Sequence, residues 1–178
     1  FKNGNYEDYY KEIYEENREA KIDSLKKLQP PFSTRRGRTV YGGGGITPDV
    51  YIPWDLDLKP ATRKILADPN RPMFNWSATF VRSHMDIPEH YKEFQQNWEL
   101  PVNTLEDFLE FATKDYNKNE KEEALKNNGY LKTILKSEIA GAKWGRDELW
   151  GVRVTADNQV LDALKHFNEA DAFLANSY

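Results

Sequence analysis

Tyr6, Tyr9, Tyr10, Ile13 and Tyr14 recur at the three- and four-residue spacing that returns to one face of an α-helix, with Glu7, Asp8, Lys11, Glu12, Glu15 and Glu16 elsewhere on the wheel. The pattern predicts an amphipathic helix that frays near Asn17 to Asp23, where the periodicity slips. Pro30 and Pro31 end any continuation, because the ring removes a donor and restricts the residue before it. Thr39, Val40 and Tyr41, and then Val50, Tyr51 and Ile52, have the β-branched and aromatic character of short strands. Between them lie Gly42, Gly43, Gly44 and Gly45, so the expectation is a β-ribbon with a glycine-rich link. From Ala61 the pattern is helical almost to the end. Ile65 and Leu66 predict a short helix closed by Asp68 and Pro69; Phe74, Ala78, Val81 and Met85 predict an apolar stripe on a helix that stops before Pro88. A third helix starts around Pro88 and carries Tyr91 and Phe94. Thr104, three residues before Asp107, reads as a capping-box variant ahead of Leu105, Phe108 and Leu109. Leu125, Leu131, Ile134, Leu135, Ile139 and Ala142 suggest a longer helix interrupted near Gly129, and Val160, Leu161, Leu164, Phe167, Ala170, Phe173 and Leu174 a closing one.

The most specific stretch is Thr34 to Val50, TRRGRTVYGGGGITPDV. Four consecutive glycines lose much chain entropy on ordering, which suggests a tight backbone passage or a flexible loop. The segment resembles the late part of the carboxy-terminal processing peptidases, also called tail-specific proteases, through Gly37, Arg38, Val40, Tyr41, Gly42 to Gly45, Ile46, Pro48, Asp49 and Val50. Asn3 to Glu19 resembles the polar helical insertion that bacterial envelope members carry before this strand. Leu131 to Gly145 and Asp157 to Ala170 resemble their C-terminal helical extension. The resemblance implies a periplasmic or envelope serine endopeptidase as parent, acting on proteins from their C-terminal ends. It implies a Ser/Lys dyad that needs no cofactor, set in regions preceding the matched strand. Ser24, Ser33, Ser77, Ser83, Ser137 and Ser177 stand isolated among charged or aromatic neighbours, so a catalytically empty fragment is expected, and an initial Phe1 agrees with an excised piece.

Composition narrows the remaining classes. A chain of 178 residues can bury about 70% of its unfolded surface, enough for one domain or a small domain with an appendage. Mean hydropathy is −0.84 and no apolar run approaches the roughly 20 residues that span a bilayer, so membrane insertion is not expected. With 25 basic and 29 acidic residues the net charge is −4, which gives no general attraction to nucleic acid or anionic lipid. The absence of cysteine excludes disulfides and thiolate chemistry.

Several clusters invite sharper readings. A P-loop requires Lys-Ser or Lys-Thr after its last glycine, whereas Ile46-Thr47-Pro48 follows here. Arg35, Arg36 and Arg38 beside Tyr41 could contact RNA, yet without a second basic stripe they read as solvated or ion-paired arginines. His84, Asp86, Glu89 and His90 lack the HExxH spacing of a zinc site and read as surface polar residues at a helix junction. Asp55 with Asp57, and Glu120 with Glu122 and Glu123, read as solvated acidic faces rather than catalytic pairs. Trp54, Trp76, Trp98, Trp144 and Trp150 read as core residues with locally satisfied indoles rather than a sugar platform.

The expected fold is mainly α with a small β-ribbon (α+β). Residues 1–58 would close a peptidase core, and 59–178 would form a helical docking or regulatory domain. The expected partners are the rest of the core, protein or peptide substrates reached through the parent, and a second copy paired through the ribbon. The alternative is a stand-alone helical interaction module.

Overall fold

The structure is a computed structural model that describes residues 29–35, 37, 39–42, 50–52 and 56–175. The fold is mainly α with one two-stranded antiparallel sheet. The predicted helix over Tyr6 to Glu16 lies outside the described residues.

Strand β1 (Pro31–Ser33) pairs with β2 (Thr39–Tyr41) in the register Pro31↔Tyr41, Phe32↔Val40, Ser33↔Thr39. The turn closes through the Gly37 N–H, which donates to the Thr34 carbonyl at 3.0 Å, and Gly37 takes φ +79°, a left-handed conformation that favours glycine. The Gly42 N–H continues the ladder to the Pro30 carbonyl at 3.1 Å. This corrects the expected ribbon: Thr39–Tyr41 pairs with the segment before it, and Val50, Tyr51 and Ile52 carry no strand. Proline ends helices but is tolerated at the first residue of a strand, where Pro31 stands. A five-residue link also closes at lower entropic cost than a passage through the glycine run.

The helices are α1 (Pro60–Leu66), α2 (Pro72–Ser83), α3 (Tyr91–Asn97), α4 (Thr104–Ala112), α5 (Lys118–Leu125), α6 (Asn128–Lys143), α7 (Arg146–Arg153), α8 (Asn158–Ala163) and α9 (Phe167–Ala175). Residues Leu56–Leu161 make one compact unit, whereas the ribbon and the stretch from Asp162 group into another.

Helix α6 organises the first of these. Its buried Leu131, Ile134 and Leu135 join Ala61, Ile65, Met73, Leu105, Phe108, Leu109 and Ala124 in one cluster. One to two turns later, Ile139 and Ala140 join Phe80, Ile87, Phe94, Trp98 and Val152 in a second. Trp76 and Leu100 touch both clusters, making the core continuous. Two lysines a heptad apart on α6 then hold the segment that carries α3. Lys136 Nζ donates to the carbonyls of Gln95 at 3.2 Å and Trp98 at 2.5 Å, satisfying groups at the end of α3. Lys143 Nζ donates to the Ile87 carbonyl at 3.1 Å, ahead of α3. Glycine allows α7 to lie close: a Cβ on Gly141 would meet Leu149 Cδ1 at 2.9 Å, and one on Gly151 would meet the Tyr91 hydroxyl at 2.2 Å.

Four helix expectations need correction. On α2 the buried residues are Pro72, Met73, Ser77 and Phe80, while Phe74 is 44% exposed and Met85 lies past the helix end, fully exposed. An i, i+4 series fits two adjacent faces equally well, and the polar Ser77 disguised the inward one. Thr104 is the first residue of α4 rather than its cap, and is buried behind a left-handed Asn103 at φ 71°. The interruption falls at Lys126–Asn127 rather than Gly129, which lies within α6. The closing helix is divided by a 3-10 turn at Leu164–His166, and its Leu161, Leu164 and Phe167 are exposed.

Candidate functional site

The resemblance singled out Gly37, Arg38, Gly42 to Gly45, Ile46, Pro48 and Asp49. Of these, Gly37 and Gly42 are described, while Arg38, Gly43, Gly44, Gly45, Ile46, Pro48 and Asp49 lie outside the described residues. Gly37 sits at the hairpin turn. Gly42 lies beneath the Phe32 ring, where an added Cβ would meet Cε2 at 2.6 Å.

The helical unit holds a cleft of about 290 Å³ whose residues come from α1, α2, α6 and α7 and from the turn before α2. Its apolar floor is Ile65, Met73 and Ile134, with Leu66 and Phe74 at the exposed rim. Arg71, Tyr130, Glu138 and Arg153 supply its polar groups.

Local chemistry places each polar group. Asp68 Oδ1 accepts the Asn70 N–H at 2.8 Å and the Asp68 carbonyl accepts the Arg71 N–H at 2.9 Å, folding the Asp68–Arg71 turn. Arg71 ends that turn with φ 50° and ψ 57°, a left-handed conformation uncommon for a residue with a Cβ, and Pro72 then starts α2. Its guanidinium lies 4.6 Å from the centre of the Phe74 ring. Among the described residues no carboxylate lies within ion-pair distance of it.

Arg153 is anchored on both edges. Its Nη2 donates to Glu138 Oε1 at 2.7 Å and its Nε to Ser137 Oγ at 3.1 Å, with Glu138 only 15% exposed. Tyr130 stands one turn of α6 before Ile134. Burial pushes its phenol up, with the Arg153 charge acting in the opposite sense. The hydroxyl is therefore a neutral donor at ordinary pH, and no described residue hydrogen-bonds to it. The cleft thus presents two guanidiniums, one carboxylate and one phenol around an apolar floor.

At the end of α2, Ser83 Oγ lies 3.1 Å from His84 Nδ1. The same Nδ1 lies 3.0 Å from the Phe80 carbonyl, which can only accept, so the tautomer that makes this hydrogen bond carries its proton on Nδ1 and offers the serine no base there. Ser83 itself donates toward the carbonyls of Thr79 at 3.2 Å and Phe80 at 3.1 Å. The His84 ring also stacks on Phe80 at 3.6 Å, which makes it part of the end of α2. Among the described residues, no group of three or more His, Asp or Glu side chains is arranged to hold a metal ion.

The acidic residues have structural work. Lys59 pairs with Asp57 and holds its carboxyl below the usual range, first through the hydrogen bond and then through its charge. Glu120 caps α5 and meets Lys64 Nζ at 3.0 Å, and Glu123 Oε2 accepts the Ala61 N–H at 3.0 Å. Trp76 stacks on Phe80 with centroids 4.9 Å apart, Trp98 on Phe94 at 4.7 Å, and Trp144 donates its indole N–H to the Glu89 carbonyl at 3.2 Å. Trp150 is 48% exposed, and Trp54 lies outside the described residues.

The cleft was not foreseen, because its members run from position 65 to 153 and no local spacing joins them. Arg71 in an Asp-Pro-Asn-Arg-Pro turn was the available signal. Among the described residues no helix is long and apolar enough to cross a membrane. Neither a protein-family model, nor a curated protein, nor a solved structure matches this chain.

Proposed function

We propose that this chain is the non-catalytic C-terminal portion of a bacterial envelope serine endopeptidase that processes or degrades proteins from their C-terminal ends. The observation that carries the reading is the run Gly37-Arg38 through Gly42–Gly45 to Ile46, Pro48 and Asp49, in the order of the tail-specific proteases. The hairpin geometry is in keeping with it: the glycine of the Gly-Arg pair occupies a left-handed turn position, and the next strand leads directly into the glycine run. In this reading β1 and β2 add to the parent's sheet, the helical unit serves as a docking or regulatory region, and a Ser/Lys dyad elsewhere in the parent performs the hydrolysis.

A second reading, a stand-alone helical interaction module, draws on one observation, the continuous two-cluster core within Leu56–Leu161. Sequencing the reading frame around the segment separates the two. The peptidase reading expects a PDZ-like segment and a Ser/Lys region in the same frame. It also expects cleavage of an unfolded protein by the whole product that disappears when that serine becomes alanine, while the present chain alone cleaves nothing. A frame without such a region, or peptidase activity intrinsic to the present chain, overturns it.

A further inference from the structure

We propose that the cleft between α1, α2, α6 and α7 is a binding site for an apolar monocarboxylate, a single carboxylate carried on an apolar body about the size of a leucine side chain. The proposal stands on the helical unit alone and does not depend on the peptidase reading.

Charge comes first. Arg71, Arg153 and Glu138 line the cleft, so the walls carry a surplus of one positive charge in a chain whose net charge is −4. Glu138 already occupies Arg153, whereas Arg71 has no anionic partner among the described residues. One incoming negative charge balances the cleft. A second would meet Glu138, which disfavours phosphate and other dianions.

Hydrogen bonding gives the same answer. The Arg71 guanidinium offers the planar fork that suits a carboxylate, the Tyr130 hydroxyl supplies a neutral donor, and Arg153 keeps N–H groups beyond the two it has committed. Ile65, Met73 and Ile134 give an apolar body a contact beneath the polar groups, which make up the larger share of the exposed lining. The volume of about 290 Å³ lies at the small end of ligand pockets. Arg71, Phe74 and Leu66 stand exposed, so the cleft is open on that side. The same chemistry is presented by a free small acid and by an apolar residue at the end of a peptide.

Titration of the full chain with N-acetylleucine, N-acetylleucinamide, inorganic phosphate and an N-acetylated tripeptide ending in leucine, followed by isothermal calorimetry and by amide chemical shifts, tests the site. Saturable binding is expected for N-acetylleucine or for the tripeptide, with shifts at Arg71, Phe74, Tyr130 and Ile134. The tighter of the two identifies the free acid or the peptide end as the source. The amide should bind at least about tenfold more weakly, since the charge-assisted contacts are gone. Arg71→Asn removes the cation while keeping a residue that tolerates the left-handed backbone, and should weaken binding about tenfold; Tyr130→Phe should weaken it a few-fold. The proposal is overturned if neither acid saturates, if the amide or phosphate binds as well as the acid, or if a folded Arg71→Asn variant binds undiminished. The acid-against-amide comparison needs no variant, so a failure of Arg71→Asn to fold leaves the test intact.

Discussion

Single residues carry much of the local architecture, and Asn127 carries the most. Its side-chain carbonyl accepts the Lys59 N–H at 2.8 Å and the Thr62 hydroxyl at 2.9 Å, while its amide donates to the Asp57 carbonyl at 2.8 Å. Helix α1 has no cap from its own Lys59, so Asn127 and Glu123 satisfy its first donors from across the fold. Asn127→Ala should therefore lower stability by about 2 kcal/mol in urea unfolding, because the buried Thr62 hydroxyl and the half-buried Lys59 N–H lose their acceptor. Asn127→Asp retains both acceptor bonds and should fall between the two. The hairpin glycines make a contrasting pair. Gly37 has open space around an added Cβ but φ +79°, so Gly37→Ala should lose about 1 kcal/mol through backbone strain alone. The nearest described atoms to a Cβ in Gly42→Ala belong to the ring of Phe32, itself 57% exposed, so its midpoint should fall by less. At this scale the glycine run was legible as a place of special backbone. Asn127 was not, since an asparagine between two helices looks like any loop residue until its partners nearly 70 positions earlier are known.

Among elements, α5 shows how capping couples to pH. Asn117 and Glu120 form a reciprocal capping box, with Asn117 Oδ1 accepting the Glu120 N–H at 3.0 Å and Glu120 Oε2 accepting the Asn117 N–H at 2.9 Å. That backbone hydrogen bond first, and Lys64 second, hold the Glu120 carboxyl below the usual glutamate range. A carboxyl whose folded value is depressed adds stability above its unfolded value and loses it as pH falls through the folded one. The contribution is thus present at neutral pH and fades below about pH 4.3. Thermal midpoints of Glu120→Gln should show a shallower acid limb than the parent chain, with both proteins converging at the acid end; parallel curves would contradict the coupling. The Asn-x-x-Glu signature stood in the sequence, but α5 is so charged that apolar periodicity drew no attention to it. Helix α7 was missed for the same reason, with Val152 its buried apolar residue. Existence was legible for α1, α3, α4 and α6, where rings and leucines recur on one face. The face of α2 was not, because its inward side contains the buried Ser77, whose hydroxyl has no hydrogen-bond partner among the described residues.

For the molecule as a whole, stability should be graded. Helix α6 is common to both core clusters, whereas Leu161, Leu164 and Phe167 of the closing stretch remain 43%, 55% and 62% exposed. Within Leu56–Ala175, hydrogen exchange should be slowest from Leu131 to Ala140 and fastest from Asn158 to Ala170; uniform protection would contradict this gradient. The fold class was legible because helical periodicity dominates the second half of the chain. The cleft was not, because only tertiary packing brings its arginines, phenol and carboxylate together. The remote capping of α1 also has a consequence for the order of events during synthesis. Seven residues make too short a helix to persist in water, and the side chain that receives the Thr62 hydroxyl emerges 65 positions later. At bacterial to eukaryotic translation speeds that is an interval of roughly three to thirteen seconds. Throughout it the ribosome has already released the start of the helical unit, while the groups that fix its first turn do not yet exist.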